Sequence, residues 1–146
     1  MRKMLVLAAA GATLLALGGT AAADSAYHTE RLVLSGVSGA PGGGMVVNTH
    51  ANGPTVYAHE IYTLNDALPG TYQVTLHIYP ASLSCGGTPI DIDTATISTN
   101  ASGNGQADAV FTPEDAGDLR GNTVSAQWTV TGPATYATQC TVITLD

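Results

Sequence analysis

The sequence predicts an all-β fold, an antiparallel sandwich of about seven to eight strands. Thr, Val and Gly are frequent, whereas the 146 residues include only three Glu and one Lys, a composition that favours strands and turns over helices. Apolar and polar residues alternate with a period of two, most clearly from Tyr72 to Tyr79. Turn residues recur at the short intervals typical of sandwiches, and no stretch shows a sustained helical period.

The first 23 residues have the order of a secretory signal peptide. A basic start, Met1–Lys3, precedes the apolar run Met4–Leu17 and the small-residue triplet Ala21–Ala23. The apolar run is too short for a membrane span, which needs about 20 residues, and no second run of that length follows. We therefore expect residues 1–23 to be cleaved and a single domain, 24–146, to be exported without a membrane span.

The expected mature domain is strongly acidic. It holds all 11 acidic residues but only Arg31 and Arg120 as fixed cations, so its net charge is 2 − 11 = −9. Such a field repels phosphate backbones and anionic membranes, which excludes nucleic acid as a partner class. High negative charge also keeps an exported protein soluble. The absence of Lys after residue 3, together with much Ala, Gly and Thr, is typical of a bacterial protein.

The two cysteines of the chain, Cys85 and Cys140, predict one disulfide. An even number of cysteines in an exported domain indicates pairing. A redox role would require closely spaced thiols, and 54 residues separate these two in the sequence. We therefore expect a structural bridge.

Glycine, proline and asparagine mark the ends of the strands in the first part of the domain. A glycine-rich segment, 38–44, connects the first two strands, and the turn 52–54 follows the second. Pro80 ends the fourth strand because proline cannot donate to the ladder. The first five strands are expected at Tyr27–Leu34, Met45–His50, Val56–Leu64, Tyr72–Tyr79 and about Asp93–Thr99.

The second part begins with a hairpin at 100–105, whose Asn and Gly residues tolerate positive φ. A strand over 106–111 follows, and then a cap, a proline and acidic residues that predict one short helical turn near 113–119. The last two strands, Val124–Thr131 and Tyr136–Leu145, are joined by a Gly-Pro turn. No repeat and no linker divides the domain.

Two phrases of the sequence resemble parts of known sandwich domains. Residues 64–76, with a Leu, a Pro-Gly bend and a Tyr-x-Val-x-Leu strand, resemble fibronectin type III and bacterial immunoglobulin-like domains. Residues 99–111 are similar to a hairpin of secreted bacterial sandwiches. Trp128 and Tyr136 depart from the antibody pattern in their spacing to Cys140. The resemblance implies an immunoglobulin-like sandwich and no specific function.

Catalytic, cofactor and metal sites are not predicted. The four histidines, His28, His50, His59 and His77, form no metal-type motif, and His59 and Glu60 point to opposite faces of one strand. Acidic residues at 91–93 and 114–118 do not match a calcium loop. Sites assembled by strand pairing stay open, so the alternative is a small extracellular metal-binding protein or hydrolase that uses strand-borne His and acidic residues.

Tyrosine side chains are the candidates for surface binding, because exposed aromatic rings anchor proteins and sugars. Tyr57, Tyr62 and Tyr79 are singled out, although a domain with one Phe and one Trp also needs tyrosine in its core. The expected function is that of a secreted or cell-surface binding or accessory module, monomeric and without catalysis. Its partner would be an extracellular protein or glycan, and a purely structural envelope role stays open.

Overall fold

The computed structural model describes residues 28–50, 58–112 and 122–145, and in these it is all-β with antiparallel pairing. The signal peptide predicted over 1–23, the helical turn predicted near 113–119 and Tyr57 lie outside the described residues. The strands are β1 His28–Gly36, β2 Gly43–His50, β3 Ala58–Asn65, β4 Thr71–Tyr79, β5 Ile90–Ser98, β6 Gly105–Phe111, β7 Asn122–Thr131, β8 Thr135–Ala137 and β9 Thr141–Leu145.

These strands form one continuous sheet in the order β5-β4-β7-β8-β1-β2-β3-β6, with β9 also paired to β7. The sheet curls, and the strands at its two ends, β5 and β6, contact each other beside the turn that joins them. We call β5, β4, β7 and β9 the β4 wall, and β1, β2, β3 and β6 the β2 wall. The short strand β8 pairs with both β7 and β1, so the walls share one ladder instead of forming separate sheets.

The strand expected at Tyr136–Leu145 is broken into β8 and β9. Between them the Thr138 hydroxyl accepts a hydrogen bond from the Trp128 backbone N–H at 3.0 Å, and the Thr138 N–H donates to the Trp128 carbonyl. The side chain of Thr138 thus takes a place in the ladder, and the regular pairing is interrupted before Cys140. The described residues therefore hold nine strands, one more than the alternation predicts.

The core lies between the two walls and follows the period-two pattern of the sequence. In β4, the side chains of Tyr72, Val74, Leu76 and Ile78 are buried and their neighbours are not, as the alternation predicts. The largest apolar and aromatic side chains with no exposed surface are Trp128, Tyr62, Tyr72, Tyr136, Leu34, Leu64 and Ile97.

The tight turn predicted at 100–105 is confirmed, but the two strands that it joins do not form a hairpin. Strand β5 pairs with β4, and β6 pairs with β3 at the opposite end of the sheet. Asn100 accepts hydrogen bonds through its side chain from the backbone N–H groups of Ser102 and Asn104. Gly103 has a φ of 75° and lies against the backbone of Ala67, where a Cβ atom would collide with the carbonyl group. Glycine is therefore required here both by its conformation and by the close approach of a second loop.

The disulfide between Cys85 and Cys140 is confirmed, with Cα atoms 5.8 Å apart. It fastens the loop after β4 to the segment before β9. The same loop is held to β7, because the Cys85 N–H donates to the Ser125 hydroxyl, which donates to the carbonyl of Ser82. A covalent bond and two hydrogen bonds therefore hold one long loop against the β4 wall.

Removing the disulfide with Cys85→Ser and Cys140→Ser together should lower the free energy of unfolding. A separation of 55 residues predicts about 4 kcal/mol from loop-closure entropy. Urea denaturation of the double variant and of the unchanged protein, each with and without reductant, measures the difference. Reductant should destabilise only the unchanged protein. Equal stability of all four samples would contradict a structural role for the bridge.

Candidate functional site

A row of polar side chains crosses the inner face of the β2 wall. Glu30 on β1 lies opposite Asn48 on β2, and Asn48 lies opposite Glu60 on β3. Side chains opposite each other in an antiparallel pair have Cβ atoms about 5 Å apart. Asn48 and Glu60 are buried, and Glu30 is partly buried. The pairing of three strands therefore assembles this polar row where apolar side chains would be expected.

Glu60 is the buried acid of the row, with 1% of its surface exposed. The Tyr62 hydroxyl and the Trp128 indole N–H both donate to the same oxygen, Oε2, and the Trp128 distance is 2.8 Å. Burial raises the pKa of Glu60 from 4.5 to about 7, although the two hydrogen bonds favour the charged form. Near neutral pH this carboxyl group is therefore present in both protonation states.

Tyr62 acts as a donor to Glu60 over the whole physiological range. Burial and the neighbouring carboxylate both raise the pKa of its hydroxyl above the usual value, so the phenol keeps its proton. Trp128 is a donor in any case because its indole nitrogen cannot accept. Glu60 is thus held by two permanent donors on one oxygen.

Asn48 supplies an acceptor that has no partner. Only 3% of its surface is exposed, and its Nδ2 donates to Glu30 Oε2 at 3.4 Å. Its Oδ1 is buried and accepts no hydrogen bond. An unpaired buried acceptor costs about 1–3 kcal/mol, so a donor that reached this oxygen would recover free energy.

A cavity of about 40 Å³ lies beside Asn48 and Glu60, at the end of the sheet where β2 ends and β3 begins. By this measure a single water needs about 10–15 Å³, so the space takes roughly three water-sized groups. Apart from Asn48 and Glu60, its lining is apolar or aromatic: Ala58, Leu76, Ile78, Ile92, Phe111, Val124, Ala126, Trp128 and Ile143. We call this space the Asn48–Glu60 cavity.

Glu30 forms the outer end of the polar row and binds a histidine. His50 Nε2 lies 3.0 Å from Glu30 Oε1, and the ring of His28 stacks on that of His50 with centroids 5.3 Å apart. Within residues 28–50, 58–112 and 122–145, no three His, Cys, Asp or Glu side chains are placed to share a metal ion. His50 thus holds Glu30, which accepts the hydrogen bond from the Asn48 amide.

A second group of polar side chains lies on the outer face of the β4 wall. Asp91 Oδ1 is 2.6 Å from His77 Nδ1, and His77 Nε2 is 2.8 Å from the Thr129 hydroxyl. Carboxylate, imidazole and hydroxyl follow one another in the order of a catalytic triad. The three residues belong to the neighbouring strands β5, β4 and β7, and none of them lines the Asn48–Glu60 cavity.

Two of the predicted tyrosines, Tyr62 and Tyr79, belong to the part of the chain that the structure describes. Tyr62 is wholly buried and not at the surface, which corrects the prediction, because it shares the inward face of β3 with Ala58, Glu60 and Leu64. Tyr79 is partly buried at the end of β4. The sequence of β3 already indicates that Glu60 is unusual, because this acid stands on the face that the alternation assigns to apolar side chains.

The chain matches no protein-family model, no characterised protein and no solved structure. The likeness to immunoglobulin-like domains thus rests on the two sequence phrases and on the antiparallel all-β architecture. Within the part of the chain that the structure describes, no helix has the length and apolar character to cross a membrane. Arguments about function therefore depend on the geometry of the site.

The raised pKa of Glu60 should make the folded state less stable as pH rises from 4.5 to above 7. Glu60 binds its proton more tightly in the folded protein than in the unfolded chain. The contribution of this proton to the free energy of unfolding is therefore fully present below pH 4.5 and is lost as pH rises through 7. The shift corresponds to roughly 3 kcal/mol.

Denaturant titrations between pH 4 and pH 9 measure this contribution as the difference between the unchanged protein and Glu60→Gln. The difference should change with pH, whereas Asp66→Asn, which alters an exposed carboxylate, should leave the profile parallel to that of the unchanged protein. Parallel profiles for Glu60→Gln as well would rule out a raised pKa at this residue.

Proposed function

We propose that this protein is an exported, non-catalytic binding module whose ligand inserts a small group into the Asn48–Glu60 cavity. The observation that carries the proposal is the unpaired Oδ1 of Asn48, a buried acceptor beside a cavity. Native structures pair nearly all buried polar atoms, so an exception adjoining an open space indicates a place for a ligand donor.

The composition of the cavity supports binding. Most of its lining is apolar and a few polar atoms converge at one side, which is the usual make-up of a small-ligand site. Glu60 is held by Tyr62 and Trp128, and Asn48 is held by Glu30, so the acceptors are fixed before a ligand arrives. Such preorganisation reduces the entropy lost on binding.

The proposed setting is outside the cell, as part of a bacterial envelope or its surroundings. The basic and apolar start of the sequence, the disulfide and the acidic domain all favour export. The domain would be of the immunoglobulin-like type, a view supported by the antiparallel pairing and by the core enclosed between two walls. A ligand presented by an extracellular protein or glycan fits this setting.

The alternative is a hydrolase that uses Asp91, His77 and Thr129. Their hydrogen-bond order favours it, because the imidazole could take the hydroxyl proton. A flat sheet face offers a substrate little enclosure, and Thr75 and Asp93 form a similar cross-strand bond one step along the same strands. These groups are therefore better explained as polar cross-strand pairs.

Trp128 allows a direct test of the binding proposal, because it lines the cavity and is the single tryptophan of the chain. We expect small amides, alcohols or amines at millimolar concentration to shift the NMR signal of its indole N–H. Ala58→Val, which narrows the cavity, should abolish the shift. Ala107→Val, placed on β6 outside the cavity lining, should leave it unchanged.

Absence of any shift with every probe, or equal shifts in both valine variants, would refute the binding proposal. A parallel assay covers the hydrolase alternative with p-nitrophenyl esters and the variant His77→Ala. Ester turnover that His77→Ala abolishes would replace the binding proposal with the hydrolase. No turnover above the buffer rate is the result expected of a binding module.

A further inference from the structure

We infer that the Asn48–Glu60 cavity is a site for a primary alkylammonium group. This inference rests on the proposed binding function and specifies its ligand. The ammonium N–H groups would donate to Asn48 Oδ1 and to the Glu60 carboxylate, and the first carbon atoms of the alkyl chain would contact the apolar lining.

The inventory of donors and acceptors at the cavity selects a ligand that donates. The indole N–H of Trp128 and the hydroxyl of Tyr62 are both used on Glu60 Oε2, and the Asn48 amide donates to Glu30. Among these groups only the second N–H of the Asn48 amide is not used, and a carboxylate or phosphate ligand would face the charge of Glu60. A hydroxyl group has one hydrogen to donate, whereas a primary ammonium group has three.

Charge favours a cation over a neutral amide. Among the described residues that line the cavity, Glu60 alone is ionisable. Tyr62 on the same strand stays neutral, and Glu30 and His50 lie beyond Asn48, while the lining residues from β4, β5, β7 and β9 are apolar or Trp128. The net charge of −9 expected for the mature domain also draws cations towards it.

The protonation of Glu60 couples binding to pH. A carboxyl group whose pKa is about 7 when the cavity is free must ionise to pair with the ammonium group. Binding should therefore weaken as pH falls from 8 to 5, on the order of a hundredfold, in proportion to the ionised fraction. The ammonium group itself stays charged over this range, since its pKa resembles that of lysine.

The volume limits the inserted part to about three non-hydrogen atoms. Ethylammonium is therefore a suitable probe for a free amine. A short peptide in which lysine replaces one arginine presents the same ammonium group on a peptide chain. Tetramethylammonium has no N–H to donate and serves as a cation control. Ethanol and propionate serve as neutral and anionic controls.

The experiment titrates the disulfide-bonded protein with each probe at pH 8 and at pH 5 and follows the Trp128 indole N–H signal. Ethylammonium should bind at least tenfold more tightly than ethanol, propionate and tetramethylammonium at pH 8, and the preference should disappear at pH 5. Tight binding of the lysine peptide alone would identify a protein-borne amine as the source, and tight binding of ethylammonium alone a free amine.

Two variants test the assigned acceptors. Glu60→Gln should lower ethylammonium affinity more than tenfold while the affinity for ethanol stays within twofold, and Asn48→Leu should weaken both. Asp108→Asn, at an exposed carboxylate outside the cavity lining, should change neither. The pH dependence of the unchanged protein gives an independent measure if Glu60→Gln does not fold.

The outcomes separate the inference from the proposed function. Equal or tighter binding of ethanol or propionate would overturn the ammonium assignment and leave a binding cavity of another class. A preference for ethylammonium that persists at pH 5 or in Glu60→Gln would also overturn it. Failure of every probe to shift the Trp128 signal would overturn both proposals.

Discussion

The hydrogen bond from Trp128 to Glu60 joins two strands that are not neighbours in the sheet. Trp128 belongs to β7 in the β4 wall and Glu60 to β3 in the β2 wall, so the bond crosses the core. Tyr62 reaches the same oxygen from the β2 wall. The distance between the walls at this point is thus fixed by polar groups of defined length, and the Asn48–Glu60 cavity exists beside them because apolar side chains do not fill the remaining space.

Local sequence patterns predicted the elements whose determinants are local. The inward face of β4, the turn after β5 and the disulfide each follow from alternation, from residues that tolerate positive φ, or from the cysteine count. The break between β8 and β9 was not predictable in this way. It depends on Thr138 bonding to the backbone of Trp128, ten residues earlier, and no pattern in either strand indicates that contact.

The polar row shows why the functional site could not be predicted from the sequence alone. Glu60 stands on an apolar face in the alternation of β3, which indicates an unusual residue, yet its partners come from β2 and β7. Register decides which residues meet across strands, and register depends on the whole sheet. The same reason applies to Asp91, His77 and Thr129, which three strands bring together.

The short strand β8 determines how firmly the two walls are held together. Strand pairing between the two walls in the described residues is confined to Ser35 with Ala137 and Gly36 with Tyr136, beyond which β1 and β9 continue without pairing to each other. The Tyr136 hydroxyl strengthens this junction by donating to the carbonyl of Pro41. Separation along this seam breaks fewer ladder bonds than separation between any two long strands. The opposite edge, between β5 and β6, has no ladder pairing among the described residues, so slow opening motions, and entry into the core, should start there, with the seam as the hinge.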